Sequence, residues 1–507
     1  MQYLEGTALS AISDKYEAVI GLEVHAQLLT ETKMFCGCAS DYLNAPSNSR
    51  TCPICMGMPG AMPAANAKAI EFGIMTGLAL NCSIPDETKF DRKNYAYPDL
   101  MKGYQISQFD QPIASNGWLV VESGGKEVTV RVNRVHLEED VAKATHLRPR
   151  SGDGYSLLDV NRAGVPLMET VSEPDLRTPD QAREYLIKLR AILRYLGVSV
   201  ANMEEGSFRC DANISMRPKG FSELFPKVEV KNMNSLRSIV RALEYEIDRQ
   251  TQLMEAGVVV IQETRGWLED EGITISQRTK EDAHDYRYFS EPDLPIIDIS
   301  REWVQELRDA LPVLPEDRLR RLTDEFGVTL DDGTLLVADK DTVDFFEHVL
   351  QQKPLNQEAI AGRSRNICNW ITGEMTRLFR LSNTTMRDNK IQPAYLSRLQ
   401  DMIDDSTLTT TMAKSVFEQM FETGGDPDSV VSAMGMTRVG DADALAPIVD
   451  AVLQLNPKAV QDYLEGTESA VKFLVGQVMK ATKGTADPKV ARSVLLEYLD
   501  SDKRAHS

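Results

Sequence analysis

The sequence predicts an α+β protein: a large strand-rich N-terminal domain with helices, followed by an all-helical linker domain and an all-helical tail domain. Three observations carry this reading. Residues 15 to about 175 break into short alternating stretches such as "EVTVRVNRVHL" and "YSLLDVNRAGVPLMETV", separated by Gly, Pro and Asn. Strand patterns return in "SFRCDANISMRP" and "KVEVKNMN", interleaved with helical runs, so one mixed domain extends to about residue 300. Beyond that point the periodicity turns helical and stays so. The expected division is 1–300, 301–361 and 362–507, in keeping with a usual domain size of about 100 to 200 residues.

The first strand, "VIGLEVHAQL", is apolar except for Glu23 and His25. Side chains alternate across a strand, so these two share one face and Leu22 and Val24 the other. A wet edge strand with a polar face would explain the pair, and so would a site that needs an acid beside an imidazole.

Four of the seven cysteines follow closely, as Cys36-x-Cys38 and, thirteen residues on, Cys52-x-x-Cys55. Two such knuckles can set four thiolates tetrahedrally around one Zn²⁺, with Pro53, Gly57 and Pro59 supplying turns. Four thiolates fill the coordination sphere, so this zinc would fix a loop and leave no position for chemistry. Cys82, Cys210 and Cys368 stand alone and read as small buried apolar residues.

The run "KFDRKNYAYPDLMKGYQISQFDQP" then packs Lys89, Arg92, Lys93 and Lys102 with Tyr95, Tyr97, Tyr104 and Phe109 into a loop-rich stretch. "RVHLEEDVAKATH" places His136, Glu138, Glu139 and Asp140 at a strand end. "TPDQAREYLIKLRAILRYLG" is a helix with Thr178 as N-cap, Pro179 at its first position, Gln181 completing a capping box and Gly197 as the stop. "MEEGSFRCDANIS" contributes Glu204, Glu205, Asp211 and Asn213, and "KVEVKNMNS" adds Glu229, Lys231 and Asn232 before the helix "SLRSIVRALEYEIDRQTQLMEAG".

Solvated surface explains any one of these polar clusters. Four of them beside strands suggest hard oxygen ligands for Mg²⁺, which takes one or two carboxylates and bridges to phosphates, while Lys and Arg neutralise the phosphates themselves. There is no Walker A loop, kinase glycine loop or Gly-x-Ser-x-Gly elbow. The chemistry alone therefore reads as a Mg²⁺ and phosphate-handling enzyme of unfamiliar type.

A formal net charge of −20 argues against indiscriminate nucleic-acid binding and leaves room for a local basic surface. No stretch approaches the roughly 20 uninterrupted apolar residues of a membrane span. The start carries acids and no apolar block like a signal peptide's, so a soluble cytoplasmic protein is expected.

Seven runs, "GLEVHAQL", "KFDRKNYAYPDLMKGYQISQFDQPI", "HLEEDVAKATH", "DVNRAGVPLMETVSEPD", "MEEGSFRCDANIS", "KVEVKNMNS" and "DYRYFSEPDLP", resemble in content and order the B subunit of the tRNA-dependent amidotransferases. The resemblance runs from residue 16 to the end and is weakest from about 300 to 360. It implies a ligase that uses ATP and Mg²⁺ to phosphorylate the side-chain carboxylate of Glu-tRNA(Gln) or Asp-tRNA(Asn). Ammonia from the glutaminase, the A subunit, then displaces the phosphate, in a heterotrimer completed by a small C subunit.

Glu23 and His25 match family residues at the metal and phosphate site, with Glu138 and Glu139 next and Glu169, Glu205 and Asp211 behind them. Lys89, Arg92, Lys93 and Lys102 become candidates for phosphates or the tRNA 3′ end, and Tyr95 or Tyr97 for stacking on a base. The tail resembles the family's tRNA-elbow domain, and its Lys472, Lys480, Lys483, Lys489 and Arg492 would meet the tRNA body. A solvated helix face would also explain those five cations. A stand-alone ligase would need its own ammonia source, and no Cys-based glutaminase or Ser-Ser-Lys amidase signature is present. A zinc-held RNA scaffold would not need the acidic clusters.

Overall fold

The computed structural model describes residues 15–147, 153–279, 286–435, 442–464, 467, 469–482, 486 and 488–505. The chain forms two contact units, Met1–Leu314 and Pro315–Ser507.

In the first unit the strands are, in chain order, β1 (Tyr16–Gln27), β2 (Glu87–Thr88), β3 (Asp91–Asn94), β4 (Tyr104–Ser107), β5 (Ala114–Ser123), β6 (Lys126–Glu139), β7 (Lys143–Leu147) and β8 (Tyr155–Asp159). They continue with β9 (Pro166–Ser172), β10 (Phe208–Pro218), β11 (Val228–Lys231), β12 (Glu263–Leu268), β13 (Ile273–Thr279), β14 (Phe289–Ser290) and β15 (Ile297–Asp298). Eight of them make one sheet in the order β13-β12-β11-β10-β1-β9-β6-β5, antiparallel throughout except for the parallel pair β11 and β12.

One face of this sheet is the core. Leu22, Val24 and Ala26 of β1, Ala212 and Ile214 of β10, Val228 and Val230 of β11, Met168 of β9 and Leu137 of β6 are all buried there. Helices Ala67–Ala79, Pro179–Tyr195 and Leu236–Glu255 pack on β6, β5 and β10. The second of these helices starts as its sequence predicts, with the Thr178 hydroxyl accepting from the Gln181 N–H at 3.2 Å, and Gly197 follows it at φ +69°. The Gln181 side chain reaches back one residue further than a capping box requires, accepting from the Arg177 N–H at 2.8 Å. The opposite sheet face carries polar residues of β1, β6, β9, β10 and β11, among them Glu23, His25, His136, Glu169, Asp211 and Glu229.

Glu246, on the helix Leu236–Glu255, is fully buried yet charged. Its carboxylate accepts from Arg249 Nη2 at 2.8 Å and Gln250 Nε2 at 2.9 Å, and Arg265 Nε of β12 lies 3.2 Å away. This network ties the helix to the far edge of the sheet. Removing the acid leaves the two guanidinium groups with Glu263 as their remaining shared counter-charge, 3.9 Å from Arg249 and 2.8 Å from Arg265. Glu246→Ala is therefore expected to destabilise the unit by about 3 to 5 kcal/mol, and Glu246→Gln by less, as read by urea denaturation.

The structure refines two expectations. The loop-rich run from residue 89 folds into a second small sheet, β14-β3-β4, because Phe289 and Ser290 return to pair with Arg92 and Asp91. The first unit also extends beyond residue 300 to Leu314, since the helix Arg301–Asp309 buries Val304 in the same core.

The second unit is helical throughout its described residues. Helix Lys340–Gln351 packs on both Gln357–Asn369 and Pro393–Asp404, so contacts run across the division expected at 361. The last four helices, Ala442–Leu455, Pro457–Leu464, Ser469–Ala481 and Pro488–Ala505, enclose a separate core of Leu445, Val449, Leu474, Val478, Leu495 and Leu499. No described helix is long and apolar enough to cross a membrane.

Candidate functional site

Strand register assembles the open-face cluster. Antiparallel pairing sets His25 of β1 opposite Glu169 of β9, and Glu169 opposite His136 of β6, which forms one polar row across three strands. Directly opposed residues project on the same side of a sheet, so the three side chains meet. His25 Nε2 lies 3.3 Å from Glu169 Oε2 and 3.7 Å from Glu138 Oε1, and His136 Nε2 lies 3.1 Å from Glu169 Oε2. Ligand atoms of His25, Glu138 and Glu169 all fall within 4.8 Å of one another, close enough to share one ion.

The electrostatics agree with a cation at this place. Burial opposes the charge on His25, but its hydrogen bond to Glu169 and the charges of Glu169, Glu138 and Asp211 raise its pKa to about 9. Burial likewise opposes the charge on Glu169, and His136 and His25 nevertheless hold its carboxyl well below the usual carboxylate range. A proton on His25 thus supplies positive charge beside the two acids. An imidazole with two carboxylates is a donor set that fits a divalent cation in their stead.

The polar face continues toward β11. Glu23 pairs with Asp211 across β1 and β10, and its Oε1 accepts from Asn213 Nδ2 at 2.8 Å. Lys231 of β11 bonds Asp211 and lies 2.9 Å from Glu229. A cavity of about 550 Å³ opens beside Glu23, lined by Gly21, Val171, Asn213, Ser215, Phe225 and Lys227 among others.

The four clustered cysteines also converge. Their Sγ atoms lie within 4.8 Å of one another, and Cys52 and Cys55 are 3.9 Å apart. An S–S edge of about 3.8 Å follows for a tetrahedron with metal–sulfur bonds of about 2.3 Å. The Cys52 N–H donates to Cys55 Sγ at 3.2 Å. Cys36 beside it, together with that N–H and the buried Lys33, brings the Cys55 thiol down to about 5 against the effect of burial. These thiols could hold a metal ion.

The family model of the GatB/GatE catalytic domain matches residues 18–305, and that of the GatB domain matches residues 344–499. The chain belongs to the GatB family. The B subunit of an aspartyl/glutamyl-tRNA(Asn/Gln) amidotransferase from Dehalococcoides mccartyi is 49% identical over 488 residues, covering 96% of this chain and 99% of the relative. The like-named protein of Thermomicrobium roseum is 49% identical over 486 residues and that of Brevibacillus brevis 46% over 487, each at 96% and 99% coverage.

Of the acids expected from sequence in this GatB chain, the fold gathers Glu23, Glu138, Glu169 and Asp211 on the open face with His25. Glu139 turns to the other side of β6, where Lys102 pairs with it and the Ile106 N–H donates to it at 3.0 Å. Glu205 sits exposed in the turn before β10.

The expected cations differ in their commitments. Arg92 is held bidentately by Glu291 at 2.7 and 2.8 Å, and Lys89 lies between Asp110 and Asp91. Lys93 has no carboxylate within ion-pairing distance among the described residues. Its ammonium lies over the Tyr286 ring at 4.9 Å and the Tyr95 ring at 5.9 Å. Burial opposes its charge, while Glu138, Tyr288 and Glu169 raise its pKa above the usual lysine value. Tyr95 is half-buried against Tyr286 and Tyr97 is exposed.

In the tail, Lys472, Lys480, Lys489 and Arg492 are exposed on the last two long helices, and Lys483 lies outside the described residues. One residue at the site is not among the candidates drawn from sequence: Arg209 lies within the run "MEEGSFRCDANIS", and its place follows from register with His25. His136, a candidate from its run, takes its place by register with Glu169.

Proposed function

We propose that this GatB-family chain is the B subunit of a glutamyl/aspartyl-tRNA(Gln/Asn) amidotransferase, a carbon–nitrogen ligase of protein biosynthesis. The family supplies the tRNA-dependent amidation role, and the convergence of His25, Glu138 and Glu169 with Lys93 facing them supports the site of carboxylate activation.

A carboxylate is inert to ammonia because an oxide is a hopeless leaving group. In the first step a side-chain oxygen of the misacylated tRNA bonds to the γ-phosphorus of ATP, the bond to the bridging oxygen breaks, and ADP departs. In the second, ammonia bonds to the carbonyl carbon, the C–O bond breaks, and phosphate leaves with the proton from nitrogen. His25, Glu138 and Glu169 would hold Mg²⁺, with Glu23 and Asp211 on the same face, and the ion would supply charge neutralisation at the phosphates. Lys93 adds a positive charge fixed by aromatic rings rather than spent on an ion pair. Tyr95 and Tyr97 border the entry for the tRNA 3′ end.

In this reading the chain works in the cytoplasm with a glutaminase, the A subunit, and a small C subunit. The test is amidation by the purified complex of Glu-tRNA(Gln) and Asp-tRNA(Asn), with ADP release measured alongside. No tRNA-stimulated ADP release from either would overturn the reading.

The cysteine cluster is proposed to carry a structural Zn²⁺. Gly57, at φ +68°, lies where a Cβ would fall 2.6 Å from Lys102 Cγ, so the knuckle packs directly on the segment that carries Lys102. Metal binding here contributes folding energy. The purified protein is expected to contain about one equivalent of zinc, and Cys52→Ser to lose it with a fall of several degrees in Tm. Elemental analysis and thermal melts check both, and a metal-free native protein would refute the assignment.

A further inference from the structure

We propose that Arg209 is a catalytic residue of this reaction, the guanidinium that binds the transferring phosphoryl group beside His25, Glu138 and Glu169. The inference rests on the phosphorylation reading above and adds a residue that the sequence motifs do not single out. Four observations carry it.

The first is position. Arg209 of β10 stands directly opposite His25 of β1, so its side chain leaves the sheet on the face where the acids converge.

The second is anchorage. Arg209 Nη2 lies 3.1 Å from Asp140 Oδ1, and that carboxylate is only 3% exposed. Asp140 is itself fixed, accepting from Gln27 Nε2 at 2.7 Å and the Val141 N–H at 2.9 Å, with Arg162 Nε 3.7 Å away. One end of the guanidinium is therefore tied to a rigid post.

The third is what remains free. The Arg209 side chain is 39% exposed, and Asp140 is its one ion-pairing partner among the described residues, which leaves further guanidinium donors for a ligand on the open face. Arg92, by contrast, spends its fork on Glu291, Lys102 its charge on Glu139, and Lys231 its charge on Asp211 and Glu229.

The fourth is the field. Asp140, Glu138 and Asp211 all lie close enough to favour the cationic form of Arg209. Two of these acids belong to the open-face cluster itself.

Phosphoryl transfer spreads negative charge over three equatorial oxygens while little covalent work is asked of the protein, so a preorganised fork of donors is the group best suited to it. The planar guanidinium can hold Asp140 with one edge and phosphoryl oxygens with another, which a compact ammonium cannot do. As the bond from the substrate carboxylate oxygen to phosphorus forms and the bond to ADP breaks, Arg209 donates to the oxygens of the group in flight.

The test uses the assembled amidotransferase with ATP and misacylated tRNA and reads single-turnover ADP formation. Arg209→Ala is expected to slow that step roughly 100-fold, with the Mg²⁺ half-saturation and glutamine hydrolysis within threefold of the unsubstituted complex. Arg209→Lys should recover part of the rate. Added methylguanidine should accelerate the Ala variant and leave the unsubstituted complex unchanged, because only a missing group in the cleft can be replaced from solution. ADP formation within threefold of normal in Arg209→Ala would overturn the proposal, as would a slow step that methylguanidine does not lift. Should the Ala variant fail to fold, Arg209→Lys decides: a single-turnover rate within threefold of normal overturns the proposal, and a tenfold or greater loss supports it. A parallel His25→Ala complex separates the two levels. Persistent ADP formation there would remove the phosphorylation reading itself, whereas loss there with a normal Arg209→Ala removes only this assignment.

Discussion

His25→Ala is expected to lower tRNA amidation by roughly 1,000-fold, about 4 kcal/mol at ~1.4 kcal/mol per tenfold, while the glutaminase partner goes on hydrolysing glutamine. The imidazole is one of the three side chains whose ligand atoms meet within 4.8 Å. Its removal leaves Glu138 and Glu169 with one ligand partner fewer and His136 as the imidazole still beside them. Glu169→Gln should act comparably, since it deletes the charge that both imidazoles face. Glu23→Ala should also suppress amidation, because Glu23 lies one strand step from His25 on the same face and is aligned by Asn213. Separate assays of glutaminase activity, tRNA-stimulated ADP formation and amidation locate the loss. Near-normal amidation by His25→Ala at saturating Mg²⁺ would remove this cluster from the reaction.

The strand alternation of β1 is legible in ten residues, because a period of two needs no partner to be read. What Glu23 and His25 meet is not, since it depends on pairing with β10 and β9, and through β9 on β6, all more than a hundred residues away. Glu138 and Glu139 illustrate the same limit at one residue's resolution. Both read as acids at a strand end, yet adjacent residues point to opposite faces, and the phase of β6 is set by an irregular register between Val132 and Arg134. Glu138 therefore joins His25, and Glu139 joins Lys102.

The cations behave alike. Lys89, Arg92 and Lys93 are equivalent in composition, and only the return of Glu291 shows that Arg92 is already committed. The cysteine spacing, by contrast, is sufficient by itself, because both knuckles are local. Helices are legible where caps and periodicity agree, as in Pro179–Tyr195, which begins after Thr178 and is followed by Gly197 with φ +69°. The 361 boundary is not, since it falls inside the helix Gln357–Asn369.

That last point changes how the tail is tested. Deleting residues from 362 would cut a helix and the packing around it, so a loss of tRNA binding would not be assignable to the tail. The core of Leu445 to Leu499 is built mainly from the last four helices, and Lys472, Lys480, Lys489 and Arg492 lie exposed on two of them. Replacing these four by Glu alters charge and leaves that core untouched. If this surface grips the tRNA body, each reversal exchanges a phosphate attraction for a repulsion. At about 0.7 kcal/mol per site the four sum to roughly a 100-fold rise in KM for misacylated tRNA. The slope of log KM against log salt should fall by about 1 for each phosphate interaction removed. ATP and Mg²⁺ dependence of the activation step should stay as in the unsubstituted complex, because those groups are proposed to bind in the first unit. A salt titration in which the fourfold variant matches the unsubstituted complex in both KM and slope would show that these cations only solvate the tail.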